Sequence, residues 1–266
     1  MVAPIPKTKL DEVAGIIYND TDNIYLSEFE AARLIRMTKE GDELEPLRAK
    51  KHRMVIHYLA GNYSEAKKEL KTLIPYTKEN LDLFIQVTAI ALRIGAFKEV
   101  TLAANTIDIN KILTTNNPDR LSIISDFGAP FYLLGDFDMG IKNIERIEKA
   151  LFTENNENLK GKLDRSKLLR DIYLKLGLNN DKVQNLTALV ESVIHQNKVR
   201  VLGAFISTPE EEMLIDLGVS APIDAIIKLN DELFELAYEN NLMEELNALS
   251  INFSPIDVEQ LKYAII

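Results

Sequence analysis

The chain has no cysteine and no tryptophan in 266 residues. Without cysteine there are no disulfides, no thiolate nucleophile and no thiolate-ligated metal. That composition suits a reducing compartment, so a cytoplasmic location is expected. Histidine is scarce: His52, His57 and His195 are the whole set. His52 and His57 lie five residues apart, which on a helix splays them by about 140°. They cannot share a metal, and no H-E-x-x-H pattern occurs. Nowhere do ~18 apolar residues run together, so no membrane span is expected. Met1 is not followed by a basic stretch and an apolar run, so no secretory leader is expected. Among the 11 glycines none sits in G-x-x-x-x-G-K, G-x-G-x-x-G or G-x-S-x-G order. A phosphate cradle, a dinucleotide fingerprint and a nucleophile elbow are thereby excluded. No catalytic residue, metal or cofactor is expected.

What is present is an ordinary globular composition, 46% hydrophobic and 27% charged, long enough to bury a sizeable core. Its net charge of −10 is unevenly spread. From Thr208 onward Lys228 and Lys262 face thirteen acidic residues, a net of −11, so the first 207 residues carry +1. Such an end repels nucleic-acid phosphates and steers a basic partner. Arg48, Lys50, Lys51, His52 and Arg53 form the one dense basic run. With no aromatics interleaved, it reads as a solvated helix face rather than a nucleic-acid site. His57 reads as a packing position and His52 as surface. Asp136 and Asp138 read as helix-capping residues.

A pattern recurs along the middle of the chain. Gly61 is followed by Tyr63 and Ala66, Gly95 by Phe97 and Val100, and Gly135 by Phe137 and Gly140. The glycines are 34 and 40 residues apart, and Gly177 follows after 42. Physically this is a helix ending at a glycine that accepts the left-handed conformation, then a second helix whose first aromatic fills the corner. Leu81, Phe84, Ile85, Thr88 and Leu92, and again Ile141, Ile144, Ile147 and Leu151, recur at amphipathic helix spacing. Ser27 followed by Glu30 signs a capping box for a helix over 27–38. Asn117, Pro118 and Asp119 mark a helix start, and residues 153–158 a polar loop.

The corner pattern resembles the tetratricopeptide repeat, a helix–turn–helix unit of 34 residues. The third unit is the fullest match: Ile124, Phe127, Gly128, Phe131, Gly135, Phe137, Gly140 and Ile144 stand where the family has large, large, small, aromatic, glycine, aromatic, small and large residues. Met54 and Arg170 depart from it by occupying small positions. The resemblance covers roughly residues 44–195. It implies a mainly α architecture, a TPR-like solenoid of stacked helix hairpins, whose first helices line a groove. Arg48, Lys51, Tyr58, Ile85, Tyr132 and Lys167 are the groove-facing candidates it implies. The family's carboxylate clamp is incomplete, because Val55 stands in for the asparagine and Ser122 and Asp126 for basic residues.

Three segments are expected: an N-terminal arm over 1–25, the solenoid over 26–198, and a small acidic subdomain over 199–266. In the last, 199–206 and 249–253 read as strands able to pair with each other. Ser207, Thr208 and Pro209 followed by Glu210, Glu211 and Glu212 read as a helix start. Ala221 and Pro222 start another helix that runs to Tyr238. The functional expectation is a protein- or peptide-binding module, a scaffold or adaptor. One alternative is an inhibitor or immunity-type protein that neutralises a basic partner such as a nuclease toxin. It would use the acidic end, with Glu210, Glu211, Glu212 and Asp216 at the contact. Another is an enzyme with a site where cap and solenoid meet.

Overall fold

The computed structural model describes residues 8–18, 25–113, 129–151, 157–209 and 212–256. The chain divides into two compact units, 1–74 and 75–266.

Among the described residues the first unit has four α-helices: α1 (Lys9–Ile17), α2 (Glu28–Lys39), α3 (Pro46–Leu59) and α4 (Tyr63–Leu73). Thr8 and Asp11 form a capping box at the start of α1, and Ser27 and Glu30 the expected one at α2. Each box satisfies two backbone N–H groups that a helix start leaves orphaned. The stretch read as an arm therefore contains a helix. It buries Leu10, Val13 and Ile17 and packs on α2 and α3. Its apolar spacing is helical, but nine residues between polar flanks are too short to stand out from a loop. Proline at the first turn opens α3, and Gly61, at φ +69°, turns it into α4.

The second unit is mainly helical with one small sheet. Its helices are α5 (Leu81–Arg93), α6 (Phe97–Thr106), α7 (Ile109–Leu113), α8 (Ala129–Leu133), α9 (Phe137–Leu151), α10 (Glu157–Leu176), α11 (Asn180–Asn197), α12 (Ile223–Glu239) and α13 (Met243–Leu249). Gly95, Gly135 and Gly177 sit between helix partners at φ +71°, +71° and +63°. Phe97 and Phe137 fill the first two corners and are buried. Ile124, Phe127, Gly128, Ser122, Asp126 and the Asn117–Asp119 helix start lie outside the described residues. So does most of the 153–158 loop, whose last two residues open α10.

These glycines differ in what surrounds them. A Cβ on Gly95 would lie 2.6 Å from Ile194 Cδ1, and one on Gly135 2.5 Å from the Tyr173 hydroxyl. One on Gly177 meets nothing within 4 Å. All three carry the left-handed backbone that costs an L-residue about 1–2 kcal/mol. Gly177→Ala is expected to lose only that. Gly95→Ala and Gly135→Ala should lose about 1–2 kcal/mol more, because Ile194 is fully buried and the Tyr173 hydroxyl is engaged by Asn180. Urea midpoints decide it: equal losses at all three positions would show that only the backbone matters.

The sheet has three strands, β1 (Val201–Ser207), β2 (Leu214–Val219) and β3 (Ile251–Pro255), in the order β1-β2-β3. β1 runs antiparallel to β2, and β3 parallel to it. Both expected strands exist, but they do not pair with each other. β2 lies between them where a helix was expected to run on from Pro209. Burial at Ile215, Leu217 and Val219 alternates along β2, a period of two that three preceding glutamates obscured. Pro222 opens α12 as expected, and the helix ends at Glu239. β1 packs on α5 and α8, and α12 and α13 pack on α11. The C-terminal segment therefore shares its compact unit with helices over 81–197, and the unit boundary falls at 74/75 rather than near 198.

Candidate functional site

The sequence-predicted contact residues do not form one site. In the first unit, Arg48 pairs with Asp11 and Glu45, and Arg53 with Asp42 and Glu69. Lys51 sits over the Tyr18 ring, its nitrogen 5.6 Å from the centroid. The basic run thus ties α1, α3 and α4 together. Tyr58 is 1% exposed and stacks on Tyr63, so it packs and presents nothing outward. His52, read as surface, is buried at 1% exposure with its ring edge against Tyr18. His57, read as packing, is half-buried. The burial of His52 follows from α1, whose packing on α3 turns the 52 side of that helix inward.

In the second unit, Tyr132 is buried and its hydroxyl hydrogen-bonds Ser166; burial pushes that hydroxyl above the usual phenol range. Ile85 is half-buried and Lys167 exposed. Glu210 and Glu211 lie outside the described residues. Glu212 is exposed and its N–H closes a turn to the Pro209 carbonyl at 2.8 Å. Asp216 is half-buried in the central strand, aligned with Phe205 and Asn252, and burial raises its carboxyl above the ordinary range.

Two clefts in this unit are lined by side chains that pair with their own neighbours, save the buried Arg146 Nε, which has no hydrogen-bond partner among the described residues. One, of about 350 Å³, is lined by Asp136, Asp138, Arg170 and Tyr173. There Arg170 pairs with Asp138 and Asp171, and the Tyr173 hydroxyl donates to Asn180 at 2.6 Å. Asp136 receives the Met139 N–H, as a cap does. The other, of about 460 Å³, holds Lys78, Asp108, Arg146 and Lys149. Its Arg146 guanidinium donates to the Ala104 carbonyl at 2.8 Å and to Asn143 at 3.0 Å, closing the end of α6. Among the described residues no cluster of three His, Cys, Asp or Glu side chains could hold a metal ion.

Among the described residues, one helix carries a row of large apolar side chains that stay exposed. On α12, Ile223, Ile227, Phe234 and Tyr238 are 68%, 53%, 53% and 71% exposed. At 100° per residue they fall within about 60° of one another. Ile226, Leu229, Leu233 and Ala237 form the adjoining, buried side. The exposed set therefore extends the apolar side of the helix past the side chains that the core buries. No family model, curated protein or solved structure matches this chain.

α12 is tied to the sheet, and the helix that follows it is tied to α11. Asn230, between the stripe and the buried side, takes both outward groups of Phe253: its side-chain oxygen accepts the Phe253 N–H at 2.8 Å and its amide donates to the Phe253 carbonyl at 2.9 Å. The amide thus stands in for a neighbouring strand at the open edge of β3. At the far end Glu245 of α13 is buried against Lys182 of α11 at 3.4 Å. The sequence predicts α12 to within a residue, yet its surplus apolar face went unread. The signal was there: Ile223 recurs as Phe234, and Ile227 as Tyr238, each 11 residues on.

Proposed function

We propose that this chain is a protein-binding module, a scaffold or adaptor, whose docking surface is the outward face of α12. The observation that carries this reading is the stripe Ile223, Ile227, Phe234 and Tyr238, each more than half exposed on a rigidly anchored helix. Four such side chains offer on the order of 500 Å² of apolar area, the upper end for a monomer's largest patch. Single exposed apolar residues need no explanation, but a co-linear set on one helix does. Helix-in-groove recognition reads this kind of spacing. A second reading, a neutraliser of a basic partner such as a nuclease toxin, is supported by the −11 charge carried from Thr208 onward.

The test is a double variant, Ile227→Asp with Phe234→Asp. Both positions are exposed, so each change should shift stability by no more than about 0.5 kcal/mol. A partner captured from the host by the unaltered chain should be lost by the double variant. In the unaltered chain it should also slow amide hydrogen exchange next to α12. A partner retained by the variant would place docking elsewhere and overturn the stripe as the surface.

A further inference from the structure

We infer that the occupant of the α12 face is a basic amphipathic helix of another protein, laid along α12. This rests on the binding-module reading and adds the chemistry of the partner. The first ground is geometry. The stripe recurs every 11 residues, 3.67 per turn, so it runs almost parallel to the helix axis. It spans Ile223 to Tyr238, about 22 Å at 1.5 Å per residue. A second straight helix covers such a strip along its whole length. An added strand does not, because β3's outward groups at Phe253 are taken by Asn230.

The second ground is charge. Asp224, Asp231, Glu235 and Glu239 are exposed. At 100° per residue they lie along one flank of the stripe, with Lys228 the single cation among them. The opposite flank is Asn230 and the buried side facing the sheet. The last turn of α12 holds no basic residue. Glu239 therefore adds its charge to the negative end of the helix dipole, an unfavourable pairing in the free chain. A cation placed there relieves it. A second copy laid antiparallel would instead bring two acidic flanks together across the apolar strip, and one laid parallel would leave both flanks without a cation. An acidic flank likewise opposes the surface of an anionic membrane. Of the occupants the apolar strip admits, the flank selects a cationic helix.

The absence of tryptophan makes the test direct. The probe is a synthetic helix of about 18 residues with one tryptophan in its apolar stripe and lysines along one flank. Its two controls are the same peptide with glutamate for lysine, and a lysine peptide of identical composition in scrambled order. Titrating the full chain and reading tryptophan fluorescence, the lysine helix is expected to bind at least tenfold tighter than either control. Its affinity should fall severalfold from about 50 to 200 mM salt. Ile227→Asp with Phe234→Asp should abolish it. Glu239→Gln should weaken binding severalfold while raising the Tm of the free chain, an opposition that a purely structural role would not produce.

Equal binding by the glutamate helix or the scrambled peptide overturns the inference. So does self-association of the chain, seen by sedimentation, that the double variant removes; the stripe then remains a docking surface with a second copy as its occupant. If the double variant changes neither peptide binding nor self-association, the binding-module reading fails as well.

Discussion

Phe137→Ala is expected to cost the second unit about 3–5 kcal/mol, a large part of the 5–15 kcal/mol that typical domains possess. Phe137 is 2% exposed and lies between two other rings. Tyr132 stacks on it at a centroid distance of 5.0 Å, and Tyr173 is tilted against it at 4.6 Å. Each tyrosine is fixed in turn, Tyr132 by Ser166 and Tyr173 by Asn180. One phenyl ring therefore joins the corner between α8 and α9 to the helix pair α10 and α11. Removing it leaves a cavity that four anchored elements cannot collapse to fill, which is why the upper part of the range applies. Chemical denaturation followed by circular dichroism measures it, with the midpoint falling and the slope unchanged. Leu102→Ala is the control: Leu102 is 55% exposed, and its loss should stay within about 0.5 kcal/mol. A Phe137→Ala loss below about 1 kcal/mol would mean the ring does not hold the corner.

The ring trio also shows which parts of this molecule could be read from sequence. Helix corners have local causes. A glycine with positive φ, an aromatic two residues on and a capping box at Ser27 are short-range events, and the backbone realises each where the residues stand. The end of α12 was legible for the same reason, since Pro222 and the apolar spacing lie within one helix. Burial of single side chains has non-local causes. Tyr58 and Tyr132 stand at positions that the repeat resemblance assigns to a groove, yet each is covered by residues that no local pattern names. β2 needed both β1 and β3 as partners before its alternation meant anything. Its preceding glutamates made a helix start the simpler local reading. The α12 stripe is the reverse case. Its period is local, but only the structure shows that the core takes the adjoining arc of the same helix and leaves this one exposed.

The buried histidine gives the second large effect, in the first unit and under control of pH. His52 is 1% exposed, and its Nδ1 has no hydrogen-bond partner. Burial is the main cause that lowers its pKa from 6.5 to about 4, with the cations of Lys51 and Arg48 lowering it further and Asp11 opposing them. Tyr18, whose ring lies against it, is itself pushed up to about 12 by burial and stays a neutral phenol throughout the range. In the unfolded chain the histidine takes up a proton near pH 6.5. Between pH 6.5 and 4 the unfolded state therefore binds more protons than the folded one. Stability is complete above pH 6.5 and falls as the pH drops through that window. At pH 5 the loss attributable to His52 is about 2 kcal/mol. His57 shifts in the same direction by burial and adds to the fall. The ion pair of Asp11 with Arg48 holds the Asp11 carboxyl down to about 2, so its contribution is lost only at lower pH. His52→Gln removes the titrating group while keeping a polar side chain of similar length. Its stability at pH 7 is expected not to exceed that of the parent, but its loss between pH 7 and 5 should be smaller by about 2 kcal/mol. Thermal melts of both proteins across that range measure the difference. Parallel pH curves would show that His52 takes up its proton near pH 6.5 in the folded state as well, with water or a carboxylate reaching a ring that the packing of α1 on α3 closes off.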